Sequence, residues 1–282
     1  MKNKNTTKVN YYPSALTIGI SDSCGGAGIQ ADLRTFNAYA VYGCSAVAAV
    51  AAQNIKKTSA VLEIPAKMIV NQIDTVLENI PVNFAKINLP GNADIISSVA
   101  QCTAAHKLKT IVDCSSFSSV FSNPPDADAA DAMRNELFRT AYAIITNTRE
   151  AELLLNCKII DEQGLFDAAR KISDSYNVIA AVKGNHSNNN KFAVDAVAFE
   201  GHTFQLRSPM LKNCRHTHGA SCTFSAAFCA NLALGTEWDD ALIEAKTFVF
   251  GSLAEPVRIG DTAEVMYPPE TDYSEHISLL EI

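Results

Sequence analysis

Short apolar runs alternate with segments of helical period along most of this chain. "ALTIGI" (15–20) is typical of a buried strand, and residues 27–40 place Ile29, Leu33 and Phe36 on one helical face. "KTIVDC" (109–114) is a later strand of the same kind. Repeated strand–helix–strand units favour a mostly parallel sheet with helices on both faces. The pattern therefore predicts an α/β fold with three layers, α/β/α.

The remaining segments continue this alternation without a linker, repeat or charge block. Further strands are predicted at 44–50, 82–88, 141–146 and 177–183, with a hairpin at 192–199 and 202–207. Further helices are predicted at 65–79, opening with Pro65, at 92–105, in "TREAELLLN", in "DEQGLFDAARKISDSY" with Asp161 as its cap, and at 220–234 and 239–254, which close the chain. Loops are expected at 116–131 and 185–191. We expect one domain, 15–282, after an N-terminal extension, 1–14.

Composition limits the classes of partner. The 282 residues carry a formal charge of -7, whereas a nucleic-acid or anionic-membrane surface needs a basic face. The eight cysteines form no C-x-x-C pair and lie mostly in apolar runs, as in a reduced intracellular protein. The apolar run 15–20 is too short for a signal sequence, and none approaches membrane-span length. We expect a cytoplasmic protein that binds small molecules.

Ligands of such sheets bind at the carboxyl ends of the strands, where the first strand here runs into "SDSCGGAGIQAD" (21–32). Residues 26–31 satisfy the G-x-G-x-x-A dinucleotide pattern, but the acid expected about 20 residues later is missing. Dinucleotide binding is therefore disfavoured. Close packing of helix on strand also explains the glycines, and Asp22 and Asp32 are equally compatible with a turn and a helix surface.

Two other strand ends carry candidate groups. Lys183 follows the strand at 177–182, and Asn147 with Glu150 follows the strand at 141–146. The alternatives are a solvated lysine and an ordinary helix cap with an acidic first turn.

The stretch "CRHTHGASCTFSAAF" (214–228) leads from polar residues into an apolar helix. A helix N-terminus attracts phosphate through its unpaired amides and dipole, and Cys222 in that turn is expected to have a lowered pKa. Small residues that merely begin a helix are the alternative. Cys214, His216 and His218 alternate, but their spacing does not match that of structural zinc sites.

Taken in order, these segments resemble the hydroxymethylpyrimidine/phosphomethylpyrimidine kinases, within the ribokinase-like superfamily. Residues 15–54 follow the N-terminal signature of that family almost position by position. "NTREAELL" resembles its N-x-x-E-A segment, "VKGNH" its V-K-G-G-H and "THGASCTFSAA" its T-H-G-T-G-C-T-x-S-A-A. The resemblance runs from residue 14 to about 254 and identifies the chain as a divergent member.

The resemblance implies transfer of the γ-phosphoryl group of ATP to a hydroxymethyl group on a small heteroaromatic ring, with Mg²⁺ and in a possible homodimer. It implies that the ring is held by Ser21, Asp22, Asp32, Gln53 and Leu89. It assigns the nucleotide to Asn147, Lys183 and Thr217, and Mg²⁺ to Glu150 and Asp113. It makes Gly219, Ala220, Ser221 and Cys222 an anion hole, with Cys222 as the base.

Several positions depart from the family pattern. Ile20 replaces the glycine of the family's A-G-S-D segment, and Asn88 and Leu89 replace the glycine and methionine of its K-x-G-M-L segment. The lysine-containing flap that follows in the family is not recognisable after Asp113. Ser221 replaces the second glycine of the anion hole, where a positive φ would cost roughly 1–2 kcal/mol. A displaced oxyanion donor would lower the rate by about 10²–10³. Three hypotheses follow: a hydroxymethylpyrimidine kinase, a pyridoxal (vitamin B6) kinase, and an impaired paralogue that binds without turnover.

Overall fold

The computed structural model describes residues 11–116, 127–184, 191–212, 214, 217–261 and 263–282. The strands are β1 (Ser14–Asp22), β2 (Tyr42–Gln53), β3 (Thr58–Glu63), β4 (Phe84–Asn88), β5 (Lys109–Asp113), β6 (Ala141–Asn147), β7 (Ile179–Lys183), β8 (Phe192–Phe199), β9 (His202–Pro209), β10 (Val257–Ile259), β11 (Ala263–Val265) and β12 (Ser278–Glu281). The helices are α1 (Gly28–Ala38), α2 (Ala66–Leu77), α3 (Ala93–Ala105), α4 (Ala127–Ala132), α5 (Thr148–Leu155), α6 (Glu162–Tyr176), α7 (Ala220–Leu234) and α8 (Trp238–Ala254). A π-turn (Met133–Leu137) and a 3₁₀ turn (Phe138–Thr140) follow α4, and a second 3₁₀ turn spans Ser274–His276.

Within the described residues, one large sheet has the order β12-β9-β8-β7-β6-β5-β4-β1-β2-β3. The pairings from β2 through β1, β4, β5 and β6 to β7 are parallel. The outer pairings are antiparallel, with β3 at one end and the β8–β9 hairpin and β12 at the other. The predicted fold class, with its mostly parallel sheet, is confirmed.

Successive strand residues divide between the two faces of the sheet, as the pleat requires. Leu16 and Ile144 pack under α2, α3 and α6, whereas Ala15 and Ile145 face α1, α7 and α8. Helix α7 is buried almost throughout, which explains why its sequence is apolar on every side. No helix among the described residues is long and apolar enough to cross a membrane.

Local signals placed several helix ends correctly. Asp161 is the N-cap of α6, where its side chain accepts from the Gly164 amide at 2.8 Å. Pro65 precedes α2 as its N-cap residue instead of opening it. Parallel strands between these helices end at the same edge, so their polar termini gather there.

The sequence predicted that the two long helices α7 and α8 close the chain, and this prediction is wrong. β10, β11 and β12 follow α8, and β12 extends the main sheet beside β9. The edge strand β3 was also missed, because short edge strands lack a strong apolar alternation. Of the two expected loops, 127–131 lies in α4, while 117–126 and 185–190 lie outside the described residues.

Candidate active site

Two glycine turns meet at the carboxyl edge of the sheet. The first turn, residues 23–27, joins β1 to α1, and the second ends in Gly219, just before α7. Gly219 has φ +87°, and a Cβ there would lie 1.9 Å from the Gly26 carbonyl oxygen. Gly28 has φ +59°, and its Cβ would lie 2.2 Å from the Ile20 carbonyl oxygen. Both positions require glycine, so the turns pack backbone against backbone.

Asp22 organises the first turn. Its carboxylate accepts from the amides of Cys24 and Ala27, each at 2.9 Å, and lies 3.1 Å from His218 Nε2. Burial raises the pKa of this carboxyl, but the hydrogen bonds from His218, Cys24 and Ala27 outweigh it and lower the pKa to about 2. Asp22 is therefore a fixed negative charge that links the two turns.

A cavity of about 330 Å³ lies beside these turns, and we call it the inner cavity. Predicted site residues of several classes line it: Asp22, Gln53, Asn147, Glu150, Thr217, Gly219, Ala220, Ser221 and Cys222. The structure thus brings together residues that lie far apart in the sequence.

A larger cavity of about 700 Å³ lies beyond, and we call it the outer cavity. Lys183, Arg149 and a buried ion pair between Lys246 and Asp195 (2.7 Å) line it. Four residues line both cavities: Asn147, Thr217, Ala220 and Ser221. The N-terminus of α7 is therefore a wall shared by the two cavities.

Asp32 does not line the inner cavity, and its contact with the ring stays a prediction. Its side chain is fully buried, accepts from Thr17 Oγ1 at 2.6 Å and pairs with Lys86 Nζ at 2.9 Å. Burial lowers the pKa of Lys86, but Asp32, Cys222 and Asp113 raise it above its ordinary value. A buried carboxylate needs a cation, and Lys86 satisfies it inside the protein.

The other predicted ring contacts divide. Gln53 lines the inner cavity, with its amide oxygen accepting from Thr58 Oγ1 at 2.7 Å and its amide nitrogen 3.3 Å from His218 Nε2. Leu89 packs in the core against helices under the sheet and does not line the cavity, so its covering role stays a prediction. Ser21 also lies off the cavity, where its hydroxyl accepts from Gln30 at 2.7 Å.

Asn147 and Glu150 form a capping box at the start of α5. Asn147 accepts from the Glu150 amide at 2.9 Å, and Glu150 accepts from the Asn147 amide at 2.8 Å. The structural alternative for this pair is confirmed, yet both residues also line the inner cavity. Glu150 therefore presents a buried carboxylate there while it caps the helix.

Asp113 lines neither cavity. Its oxygens accept from the Ser115 amide (3.0 Å), Ser221 Oγ (2.9 Å) and Ser225 Oγ (2.8 Å). Burial raises its pKa, but Lys86 and Lys183 outweigh it and lower the pKa. These contacts tie the end of β5 to α7, so the arrangement does not fit the predicted role as a Mg²⁺ ligand.

Cys222 lies in the first turn of α7 and lines the inner cavity with Gln53, as predicted. Burial raises the pKa of its thiol to about 11, although Lys86 acts in the opposite direction. The expected lowering is therefore wrong, because desolvation exceeds the effect of the helix terminus.

Ser221 is helical and is not among the described residues with positive φ. The strain expected at this position is therefore absent, and with it the main ground for an impaired anion hole. The Ala220 amide donates to the Thr217 carbonyl (3.1 Å). Within the part of the chain that the structure describes, the amides of Ser221 and Cys222 are the first-turn donors without a helical partner.

Sequence reasoning missed several lining residues. Asn88, Lys56, Lys57 and Thr58 line the inner cavity, and the β2–β3 connection that carries the lysines gave no motif. Of the Cys214, His216 and His218 alternation, His216 lies outside the described residues. Cys214 lines the outer cavity and His218 the inner one.

A mostly parallel sheet whose carboxyl edge holds two cavities divided by a helix N-terminus is typical of α/β proteins that bind small ligands at their strand ends. The family model described as phosphomethylpyrimidine kinase matches residues 22–266. The hydroxymethylpyrimidine/phosphomethylpyrimidine kinase of Haemophilus influenzae is 37% identical over 249 residues, which cover 87% of this chain and 92% of that protein. The chain belongs to the phosphomethylpyrimidine kinase family and is a phosphotransferase that acts on an alcohol group.

Two solved structures share the fold of this chain, and the one with the higher TM-score is a pyridoxal kinase. The pyridoxal kinase of Staphylococcus aureus in complex with ADP has a TM-score of 0.84 at 26% identity and covers 97% of this chain and 100% of its own. The phosphomethylpyrimidine kinase of Clostridium difficile has a TM-score of 0.71 at 30% identity and covers 84% of this chain and 99% of its own.

Proposed function

We propose that this protein transfers the γ-phosphoryl group of ATP to the hydroxymethyl group of hydroxymethylpyrimidine, or to the phosphate group of its monophosphate. The observation that carries the proposal is the shared wall, because Ala220 and Ser221 line both cavities. An acceptor in the inner cavity and a nucleotide in the outer cavity would meet at this wall. Phosphoryl transfer requires such positioning more than it requires covalent chemistry.

The inner cavity suits a small polar ring. Gln53 offers an amide beside the Asp22 carboxylate and the His218 imidazole, and Asn88 also lines the inner cavity. Ring nitrogens and an exocyclic amine need donors and acceptors of this kind. We therefore assign recognition of the ring to Asp22, Gln53 and His218.

The N-terminus of α7 suits the transferring group. The amides of Ser221 and Cys222 and the positive end of the helix face a position where negative charge collects on the phosphoryl oxygens. Gly219 allows this turn to approach the first one. The wall thus acts as an anion hole with two backbone donors.

Cys222 is the group placed to accept the proton of the hydroxymethyl oxygen. Its thiol is buried, and Lys86 is the cation that favours the thiolate. A raised pKa means that the thiolate is a minor form at neutral pH, so proton transfer depends on a small reactive population.

The outer cavity suits the nucleotide. Lys183 and Arg149 supply cationic groups there, and Asn147 and Thr217 stand on the shared wall. Glu150 is the buried carboxylate that fits Mg²⁺, which would neutralise charge on the phosphate oxygens. Asp113 is left out of this set, because it lines neither cavity.

Pyridoxal is the second candidate acceptor. The observation in its favour is the higher TM-score to a pyridoxal kinase, one of whose structures contains AMP-PCP and pyridoxal. The higher sequence identity to hydroxymethylpyrimidine kinases favours the first candidate. Both rings present a hydroxymethyl group, so the chemistry at the wall is the same.

An ADP-release assay with Mg²⁺ and each acceptor alone tests the proposal. We expect release with hydroxymethylpyrimidine, a smaller rate with pyridoxal, and a raised KM for the ring in Gln53→Ala. No acceptor-dependent release, in protein that is shown to be folded, would contradict it.

Three further assignments belong to the same proposal. We treat 15–282 as one domain because a single sheet joins its ends, and the eight free cysteines support a cytoplasmic location.

We propose a homodimer through the β2–β3 edge, where Tyr42 is 60% and Leu62 68% exposed. Light scattering during size-exclusion chromatography tests the dimer, and Leu62→Lys should shift it to monomer.

A further inference from the structure

Three side chains with metal-binding atoms converge where the two glycine turns meet. Asp22 Oδ2 lies 3.1 Å from His218 Nε2 and 3.3 Å from Cys24 Sγ, and Cys24 Sγ lies 4.0 Å from His218 Nε2. We propose that Asp22, Cys24 and His218 form a binding site for Zn²⁺. A bound ion would bridge the β1–α1 turn and the segment that leads into α7.

The spacing of the three atoms fits a common zinc ion. Zinc bonds of about 2.3 Å to sulfur and 2.0–2.2 Å to nitrogen and oxygen, at tetrahedral angles, place the ligand atoms roughly 3.3–3.6 Å apart. The observed separations lie within a few tenths of an ångström of that range. Adjustments of this size lie within the freedom of the Cys24 side chain, which is exposed.

The carboxylate is already held in place. The Cys24 amide donates to Oδ1 of Asp22 and the Ala27 amide to Oδ2, so the side chain cannot swing away from the other two groups. Hydrogen bonds that orient a ligand in this way are typical of metal sites. The oxygen shared by His218 and Cys24 retains a second lone pair for the ion.

The imidazole provides an independent observation. His218 Nε2 faces both the Asp22 carboxylate, an acceptor, and the Gln53 amide nitrogen, a donor. A ring nitrogen either donates or accepts, so only one of these contacts is a hydrogen bond at any time. The Gln53 amide oxygen accepts from the Thr58 hydroxyl, which leaves the amide nitrogen towards the imidazole. A cation placed between Nε2 and the carboxylate would satisfy both groups.

A second group of the same composition, Asp74, Cys102 and His106, serves as a comparison. Its His106 Nε2 and Asp74 Oδ1 lie 2.7 Å apart, in direct hydrogen-bond contact and too close for two ligands of one ion. We therefore assign zinc to the first group and not to the second.

The donor set selects the metal. Thiolate and imidazole favour Zn²⁺ over Mg²⁺, which prefers oxygen ligands in octahedral geometry. The Mg²⁺ that accompanies ATP would therefore not occupy this site.

Zinc at this position would affect binding of the ring that accepts the phosphoryl group. Asp22, His218 and Gln53 line the inner cavity. An ion bound to His218 Nε2 would occupy the lone pair that can accept a hydrogen bond from the Gln53 amide nitrogen. We infer that Zn²⁺ and the ring exclude each other. This consequence rests on the proposed function, whereas zinc binding itself does not.

Titration of the metal-free full-length protein with Zn²⁺ and with Co²⁺ tests the site without any substrate. We expect one zinc per chain and a near-ultraviolet thiolate-to-cobalt absorption band, with Mg²⁺ producing neither. Cys24→Ser and His218→Gln should each weaken binding by more than about tenfold and remove the band. Cys102→Ser and His106→Gln, the matched changes in the comparison group, should leave both signals intact.

Thermal melts confirm that each variant is folded before its titration is interpreted. Equal zinc affinity in wild type and Cys24→Ser, or loss of the band in Cys102→Ser instead, would overturn the site. Zinc binding without competition by hydroxymethylpyrimidine or pyridoxal would refute the mutual exclusion and leave phosphoryl transfer untouched. Turnover without zinc binding would refute only the site.

Discussion

At the scale of single residues, the proposed role of Cys222 as the acceptor of the hydroxyl proton is the first to test. Cys222→Ala should lower kcat by about 10²–10⁴, the usual contribution of a general base, with little change in thermal stability. Cys229→Ala is the matched control, because it removes a buried thiol two turns further along α7 and away from both cavities. Steady-state ADP release checks both variants, and equal kcat in Cys222→Ala and wild type would remove the assignment.

The raised pKa of Cys222 gives a pH dependence with a definite sign. The thiolate is the active form, and a pKa of about 11 places most of the protein in the thiol form at neutral pH. The rate constant kcat/KM reports groups of the free enzyme, so it should rise about tenfold per pH unit between roughly pH 7 and 9. A plateau already below pH 8 would show that the thiol is not the titrating base.

Lys86 is predicted to matter for stability because it is the cation between buried carboxylates. Lys86→Met leaves Asp32 without its partner, and breaking such a buried pair costs about 3–5 kcal/mol. Lys158→Met is the control, because its contact with Glu152 is exposed and should leave the free energy of unfolding nearly unchanged. Urea denaturation measures both. Similar midpoints for the two variants would contradict a charged pair at Lys86.

At the scale of elements, two glycines flank α7 with nearly the same backbone conformation. Gly219 has φ +87° and Gly235 φ +89°, but only Gly219 has a backbone oxygen 1.9 Å from where a Cβ would lie. Gly235→Ala should show the conformational cost alone, about 1–2 kcal/mol. Gly219→Ala should destabilise further and lower turnover, because the two turns must separate. Equal losses of stability in the two variants would mean that the turns do not pack as described.

Ser221 belongs to the same element, and its replacement by glycine should not improve the anion hole. Ser221→Gly removes the hydrogen bond to Asp113 and places glycine in a helical turn, which costs about 1 kcal/mol. We expect a lower melting temperature and no gain in activity. A gain in kcat would restore the hypothesis of a strained anion hole.

The sequence predicted the elements whose patterns are local. The apolar periods of α1 and β1 and the cap at Asp161 depend on neighbours within a few residues. The edge strand β3 and the terminal strand β12 were not predicted, because their positions depend on pairing with a partner strand and not on a periodic apolar pattern in their own sequences.

The site followed the same division. Gln53, Glu150 and Cys222 line the inner cavity as expected, since each lies at or just beyond the edge where strands end. Asp32 did not, because its partner Lys86 lies 54 residues away in sequence and the charge is satisfied inside the protein. The pKa of Cys222 likewise depends on burial by elements that the local motif does not reveal.

At the scale of the whole molecule, the sheet brings two cavities to one helix terminus. Sequence identity points to hydroxymethylpyrimidine kinases and backbone similarity to pyridoxal kinases. Both candidate acceptors present a hydroxymethyl group to the proposed transfer site at α7, so the identity of the ring is the quantity to measure.

The most direct test offers both rings to the protein together, with ATP and Mg²⁺, and identifies the products by mass spectrometry. With both acceptors at equal concentration and little of either consumed, the ratio of products equals the ratio of kcat/KM for the two acceptors. We predict that phosphorylated hydroxymethylpyrimidine predominates and that the ADP formed equals the number of phosphoryl groups transferred to the products. Pyridoxal phosphate as the main product, or ADP without any phosphorylated ring, would contradict the account.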